Sequence, residues 1–167
     1  KWKHEKLKNM GVNHCIDYNT EDVYRKVMKY TDNRGVDMII DPVGSKNWKI
    51  SYKCLAPMGK LIVFGDQNFV KGKSFNLLAS LTEFFSMPKF RPMDLMSRNR
   101  SVMGYHLGRL SGAEYKIQLA AAELNEMAGA GKIKPVIDKV FPFMEADKAH
   151  SYIQARKNFG KVLLDFR

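Results

Sequence analysis

The chain has 167 residues, 45% of them hydrophobic, which is enough for one domain and part of a second with a real core. It has no apolar run of the roughly 18 residues that indicates a transmembrane helix, and its two cysteines, Cys15 and Cys54, make neither a disulfide framework nor a zinc cluster. The net charge of +11 allows a nucleic acid, an anionic lipid or a phosphate-bearing ligand as partner, or nothing more than a well-solvated surface.

The first 65 residues alternate helices with apolar strands. Helices are predicted over residues 3–11, 21–31 and 46–54. Strands are predicted over residues 12–18, 36–41 and 59–65. The run from Met38 to Ile40 has no polar residue, which predicts burial on both faces of the sheet. This order argues for a parallel sheet covered by helices on both sides.

The elements after residue 65 are less regular. Residues 75–87 are strongly apolar and predict a helix, which Pro88 and Pro92 end or break. The elements predicted next are a strand over 100–107, a helix over 113–130, a strand over 134–143, a helix over 146–157 and a strand over 159–166. The strand over 134–143 alternates apolar and polar residues, which predicts a different type of sheet.

Two glycines follow predicted strands at the positions where a parallel sheet binds ligands. Gly44 and Gly65 lie just past the strands over 36–41 and 59–65. Glycine there lets the backbone approach a bulky ligand and adopt positive φ. Most glycines after strands only make turns, so this pattern alone is a weak indication of a site.

Several runs of residues together resemble the quinone oxidoreductase branch of the medium-chain dehydrogenase/reductase superfamily. They are Lys-His-Glu-x-Leu-Lys-x-x-Gly-Val at 3–12, Ile-Asp-Tyr at 16–18, Gly-Val-Asp-Met-Ile-Ile-Asp-Pro-Val-Gly at 35–44, Leu-x-Pro-Met-Gly-Lys-Leu-Ile-Val-Phe-Gly at 55–65, Gly-Tyr-His-Leu-Gly at 104–108, Gly-Lys-Ile-Lys-Pro-Val-Ile-Asp at 131–138 and Asn-Phe-Gly-Lys-Val-Leu-Leu at 158–164. The Phe-Pro-Phe at 141–143 and the long segment 66–100 resemble the vesicle amine transport protein homologues within that branch.

The resemblance implies a two-domain NADPH-dependent oxidoreductase whose Rossmann domain is inserted in a catalytic domain. Residues 1–132 match the C-terminal part of the Rossmann domain, and residues 133–167 match the returning segment of the catalytic domain. The expected fold class is therefore α/β, with a doubly wound parallel Rossmann sheet that lacks its first two strands. The glycine-rich pyrophosphate turn is also expected to be missing. Residues 1–167 alone are then expected to belong to a longer chain and to bind NADPH weakly or not at all.

The resemblance also assigns residues to the cofactor. Lys3 lies eight residues before Gly11, the family spacing for a lysine that meets the adenosine 2′-phosphate, and Tyr18 matches a tyrosine that bonds the same phosphate. The other matches are Pro42 and Gly44 beside the adenosine, Phe64, Gly65, Asp66 and Gln67 under the nicotinamide ribose, Tyr105, His106 and Leu107 beside the carboxamide, and Asn158 in the closing loop.

Bland alternatives exist for several of these positions. From composition alone Lys3 fits a solvated helix lysine, and the resemblance reverses that preference. Tyr18 also fits an edge aromatic at a strand end, and Asn158 fits a helix C-cap equally. Pro42 stands where the family often has asparagine, so only backbone contact is expected there, and backbone groups rather than the imidazole of His106 are expected beside the carboxamide.

The implied activity is hydride transfer from NADPH to a quinone or enone, without zinc and with catalytic residues that the sequence does not identify. The expected assembly is a homodimer paired along the strand 101–105, in the cytoplasm, with peripheral membrane contact as a further possibility. The alternative is a membrane- or RNA-associated protein that uses a Rossmann scaffold with little catalysis. The charge and the two tryptophans permit it, but no nucleic-acid recognition motif supports it.

Overall fold

A computed structural model of the chain describes residues 2–44, 46–65 and 87–167. The predicted helix over 75–87 lies outside these ranges except for Met87, and so do the candidates Asp66 and Gln67. The chain forms two compact units, Lys1–Arg109 and Leu110–Arg167. The predicted boundary after residue 132 concerns the domains of the family rather than these units, and it stays a prediction.

The first unit carries a three-stranded sheet and its helices. Its elements are α1 (Trp2–Asn9), α2 (Val23–Tyr30), β1 (Val36–Asp41), α3 (Lys46–Lys53), β2 (Leu55–Val63), α4 (Pro92–Arg98), β3 (Ser101–Gly104) and a 3₁₀ turn (Leu107–Arg109). The Asp22 carboxylate caps α2 by accepting from the N–H of Arg25 at 3.0 Å. Pro92 occupies the first turn of α4, where its missing N–H costs nothing.

The strands of the first unit are all parallel, in the order β1-β2-β3. The α/β class with parallel strands is thus confirmed, and β3 lies at the edge of this sheet, as expected. The register pairs Asp41 with Val63 and Val63 with Gly104, so the three strands end level with one another. This alignment decides where the loops after the strands meet.

One face of the sheet is more exposed than the sequence predicted. Met38, Ile40 and Met103 share that face and expose 53%, 61% and 54% of their surface. Helix α3 packs on the opposite face, where Leu61 is fully buried. The prediction that both faces of this strand are buried was therefore wrong, because no described helix of this unit covers the face that carries Met38 and Ile40.

The predicted strand over 12–18 is also wrong, since these residues form turns and irregular backbone. Local contacts hold the segment: the Cys15 thiol donates to the carbonyl of His4 at 3.8 Å, and His14 stacks on Tyr30 with ring centroids 4.0 Å apart. A strand needs a neighbour to accept and donate its backbone hydrogen bonds. None of the described strands pairs with this segment.

The second unit is a small α/β arrangement of its own. Its elements are α5 (Glu114–Gly129), β4 (Ile137–Pro142), a 3₁₀ turn (Phe143–Glu145), α6 (Ala146–Gln154) and β5 (Lys161–Asp165). β4 and β5 pair in parallel, and α6 packs on both, with Phe141 and Ala149 buried between them. Within the described ranges, no helix has the length and apolar character needed to cross a membrane.

Candidate functional site

The loops that follow β1, β2 and β3 leave the sheet side by side. The N–H of Phe64 donates to the carbonyl of Asp41 at 3.3 Å, and the N–H of Tyr105 donates to that of Val63 at 2.9 Å. The hydrogen-bond ladder thus continues one residue past each of β2 and β3. We call residues 41–44, 63–65 and 104–107 the strand-end site.

Asp41 organises the first loop of the strand-end site. It is 5% exposed, and its Oδ1 accepts from the N–H groups of Val43 at 2.8 Å and Gly44 at 3.4 Å. Its Oδ2 accepts from the hydroxyl of Ser51 in α3 at 2.7 Å. The carboxylate therefore fixes both the loop and the helix behind it. Sequence reasoning missed this role, although Asp-Pro-Val-Gly after a strand is a pattern that favours such a turn.

The two glycines predicted from the sequence serve different backbone requirements. Gly44 is buried with φ of +95°, a conformation that favours glycine. A Cβ at Gly65 would lie 3.1 Å from the carbonyl oxygen of Pro42, which shows how closely the first and second loops approach. The strand-end site is thus a place where backbone, rather than side chains, forms much of the surface.

A pocket of about 250 Å³ opens beside the first loop. It is lined by Tyr18 and Pro42, two residues that the sequence assigned to the same ligand, together with Asp41 and Val43. Ile16, Val23, Ile39, Ile40, Asn47, Ile50 and Ser51 complete the lining. The mixture of an apolar wall with hydroxyl, amide and carboxylate groups suits one ring system with polar substituents.

The remaining sequence candidates are placed as follows. Tyr105, His106 and Leu107 follow β3 in the strand-end site with exposed side chains. Lys3 lies in α1, with its ammonium group 5.2 Å from the centre of the Trp2 ring. Asn158 lies in the second unit.

The role of Asn158 in its own unit is local. Its Nδ2 donates to the carbonyl of Gly160 at 2.9 Å, across a turn in which Gly160 has φ of +111°. The alternative role as a helix C-cap is wrong, because Ala155 caps α6.

A zinc site does not fit the described part of the chain. Across residues 2–44, 46–65 and 87–167, no three His, Cys, Asp or Glu side chains come together as metal ligands. Burial raises the pKa of the Cys54 thiol, with a smaller contribution from the charge of Asp22, so this group is held as a neutral thiol rather than a thiolate ligand.

Comparison with known proteins assigns the family. Residues 10–164 match the family model described as zinc-binding dehydrogenase. The chain belongs to this family, within the medium-chain dehydrogenase/reductase superfamily. The resemblance seen in the sequence is thereby confirmed, and the family description includes zinc although the described residues form no zinc site.

Relatives of the chain include vesicle proteins and reductases. The human synaptic vesicle membrane protein VAT-1 homolog is 38% identical over 97% of this chain and 41% of its own length. A quinone oxidoreductase of Pseudomonas aeruginosa is 30% identical over 92% of this chain and 43% of its own length. The crystal structure of a 2-haloacrylate reductase superposes with a TM-score of 0.72 at 25% identity, over 100% of this chain and 48% of that one. The chain thus spans about two fifths of these curated relatives.

Proposed function

We propose that this chain forms the NADPH-holding part of an oxidoreductase that reduces a quinone or an enone. The observation that carries the proposal is the strand-end site, where the loops after three parallel strands meet beside a pocket that contains Tyr18 and Pro42. Parallel sheets bind nucleotides at this end. The quinone oxidoreductase and the 2-haloacrylate reductase among the similar proteins support a reductase.

The residues of the chain bind and orient the cofactor in this proposal. The Tyr18 hydroxyl and the Lys3 ammonium group hold the 2′-phosphate, and the loop from Pro42 to Gly44, fixed by Asp41, receives the adenosine. Gly65 and the backbone of residues 105–107 give the nicotinamide end room and hydrogen-bonding groups. Bound NADPH supplies the hydride, so the contribution of the protein is position and orientation. The acid that protonates the product is unassigned.

The finer parts of the proposal concern setting and assembly. We place the protein in the cytoplasm as a homodimer that pairs through β3, whose outer side has no partner strand among the described residues. Peripheral contact with a membrane is the second candidate, favoured by the net charge of +11 and by the name of the VAT-1 relative.

The test is NADPH oxidation by the full natural protein with a panel of quinones and enones, combined with a cofactor titration. Gly65→Ala pushes a methyl group against Pro42 and is expected to lower the rate of NADPH oxidation about tenfold, because displacements of the order of 1 Å between reacting groups cost up to about a hundredfold in rate. Gly129→Ala is the control, since a Cβ there meets no atom within 4 Å and the residue lies outside the strand-end site. Absence of NADPH binding and of turnover with every substrate would refute the proposal.

A further inference from the structure

A second pocket lies between α3 and α4 and shares no lining residue with the pocket beside the strand-end site. Helix α3 begins just after the loop that Asp41 fixes and ends at Lys53, just before β2 begins at Leu55. Its last turn therefore stands at the amino ends of the strands. The pocket there has a volume of about 470 Å³, which is within the range of small-molecule sites.

Positive charge dominates the lining of this pocket. Its five cationic side chains are Lys49, Lys53, Lys89, Arg98 and Arg100, and its one carboxylate is Asp94. In the part of the chain that the structure describes, none of these cations forms an ion pair with a carboxylate. Five positive charges against one carboxylate leave a net positive charge in the pocket, and an anion bound there would relieve the repulsion between the cations.

Arg100 holds its charge in a fixed place. Its Nη1 donates to the carbonyl of Tyr52 at 3.0 Å and its Nη2 donates to that of Leu55. Its guanidinium group lies 5.4 Å from the centre of the Tyr52 ring. Each amino group donates one of its two N–H bonds to a backbone carbonyl, so the cation is held at the pocket wall without being neutralised and keeps a second N–H on each amino group for an anion.

An aromatic pair forms another part of the wall. The rings of Tyr52 and Phe90 have centroids 5.2 Å apart with an angle of 53° between their planes. The Tyr52 hydroxyl donates to the carbonyl of Asp94 at 3.4 Å, which ties the ring to α4. The pocket thus combines a charged side with an apolar side.

A larger pocket of about 720 Å³ adjoins the pocket between α3 and α4. Lys53, Arg98 and Arg100 line both, so these three cations stand where the two cavities meet. The carboxylates of the larger pocket are already engaged: Glu21 pairs with Lys26 at 2.6 Å, and Asp22 caps α2. An anion with several charged groups would offer separate partners to these three cations.

We propose that this pocket binds a small polyphosphate ester, with its phosphates on Lys53, Arg98 and Arg100. The ring or apolar part of the ester lies against Tyr52 and Phe90. The proposed contacts lie on α3, α4 and the segments next to them, none of which contributes a residue to the strand-end site. The larger pocket also contains Tyr18, which lines the pocket beside the strand-end site, so the two sites are neighbours and competition with NADPH has to be measured directly.

Calorimetry of the full natural protein with inorganic tripolyphosphate tests the proposal. We expect tripolyphosphate to bind more tightly than inorganic monophosphate, because only the longer anion reaches several cations. The double variant Lys53→Gln/Arg98→Gln is expected to weaken tripolyphosphate about a hundredfold, or about tenfold for each charge-assisted contact. Both side chains are exposed, so the variant is expected to fold, which its unfolding transition verifies.

The matched control is Lys132→Gln/Lys134→Gln, which removes the same charge from exposed or half-buried positions of the second unit. It is expected to change the affinity by no more than about twofold, because neither lysine lines either pocket. Equal losses in the two double variants, or no tripolyphosphate binding at millimolar concentration, would overturn the proposal. So would displacement of tripolyphosphate by NADPH in direct competition.

Discussion

Asp41 shows how one side chain sets the geometry of the strand-end site. Its carboxylate accepts hydrogen bonds from the loop that follows β1 and from Ser51 in α3. A buried carboxylate is costly unless such donors surround it. These hydrogen bonds fix the loop, and Pro42 and Val43 line the pocket beside it.

The position of Lys3 makes a prediction about cofactor choice. If Lys3 meets the 2′-phosphate, which only NADPH carries, Lys3→Glu places a negative charge against that group. A lost charge-assisted bond costs about 1.5–3 kcal/mol, so NADPH affinity is expected to fall roughly ten- to a hundredfold while NADH affinity changes little. Fluorescence titration of the full natural protein with both cofactors measures this.

Lys8→Glu is the control for that experiment, because Lys8 is an exposed residue of the same helix and the charge change is identical. It is expected to leave the ratio of NADPH to NADH affinity unchanged. If Lys3→Glu weakens the two cofactors equally, Lys3 does not contact the 2′-phosphate.

The two cysteines are expected to differ in reactivity. Cys54 is 1% exposed, and burial raises its pKa above the ordinary 9.0, whereas Cys15 is only half-buried. Because the thiolate is the nucleophile, a disulfide reagent at pH 8 is expected to label Cys15 quickly and Cys54 about a hundredfold more slowly. Cys15→Ser leaves only the slow phase, Cys54→Ala only the fast one, and urea makes both thiols fast.

The same pKa shift has a sign for stability. The native state keeps the Cys54 proton to a higher pH than the unfolded chain does, so this contribution to stability is fully present below the ordinary thiol pKa and is lost as the pH rises from there through the higher native pKa. Cys54→Ala is expected to remove that part of the pH dependence of unfolding. A native Cys54 that reacts as fast as Cys15 would contradict both expectations.

At the strand-end site, the sequence predicted which residues lie near one another better than it predicted what each residue does. The sequence brought Tyr18 and Pro42 to one ligand, and they line one pocket. Whether they contact a cofactor stays a prediction. The hydrogen bonds of Asp41 depend on Ser51 in the following helix, ten residues away, which a motif after a strand does not reveal.

Among the elements, the entry to β1 depends on a glycine. Gly35 has φ of +85°, and a Cβ there would lie 2.6 Å from the carbonyl oxygen of Cys54. Gly35→Ala is therefore expected to cost the conformational penalty of about 1–2 kcal/mol and at least about 2 kcal/mol more from the clash with the backbone at the start of β2. Urea unfolding of the chain measures the loss.

Gly11→Ala separates the two contributions. Gly11 belongs to the same unit and has φ of +91°, but a Cβ there meets no atom within 4 Å. Gly11→Ala is expected to lower the free energy of unfolding only by the conformational penalty. Equal losses for Gly11→Ala and Gly35→Ala would show that β1 and β2 are not held as closely at this point.

The edge strand β3 makes a prediction about assembly. Since the N–H of Tyr105 points toward β2, the alternation of the backbone points the N–H of Val102 to the outer side. If two copies pair there, Val102→Pro removes an outer donor and leaves the pairing with β2 intact. Light scattering is expected to show a dimer for the natural protein and a monomer for this variant.

Val102→Thr keeps the donor and is expected to remain a dimer. A dimer that survives Val102→Pro, or a natural protein that is monomeric, would exclude pairing along β3.

Helices and strands were predictable where residues within or next to the element determine its limits. The strand over 36–41 was predicted with its observed limits, because Gly35 and Asp41-Pro42 bound an apolar run. The strand over 12–18 failed because strand formation depends on a partner that local sequence does not specify. The prediction that Met38 and Ile40 are buried failed for a similar reason, because their burial depends on which helix covers that face of the sheet.

For the whole molecule, net charge is the property with the widest range of consequences. A charge of +11 attracts a phosphate-bearing cofactor and an anionic membrane alike. The two interactions respond differently to salt. The attraction of a membrane to exposed charges decays over about 8 Å at physiological salt, while the contacts of a cofactor inside a pocket persist. Salt therefore distinguishes a cofactor held by specific groups from a surface attracted by total charge.

Thermal unfolding and vesicle sedimentation together decide between the reductase and the membrane-binding protein. The reductase proposal expects NADPH at about a hundred times its Kd to stabilise the full natural protein by about 2.7 kcal/mol, with a smaller effect from NADH. It also expects sedimentation with anionic vesicles to disappear as salt is raised to physiological strength. Neutral phosphatidylcholine vesicles are the control for sedimentation, and Lys3→Glu is the control for the NADPH shift. The membrane-binding protein is favoured if NADPH does not change thermal unfolding and binding to anionic vesicles persists at physiological salt. Binding that persists after salt has screened the attraction between exposed charges indicates direct contacts between cationic side chains and lipid headgroups.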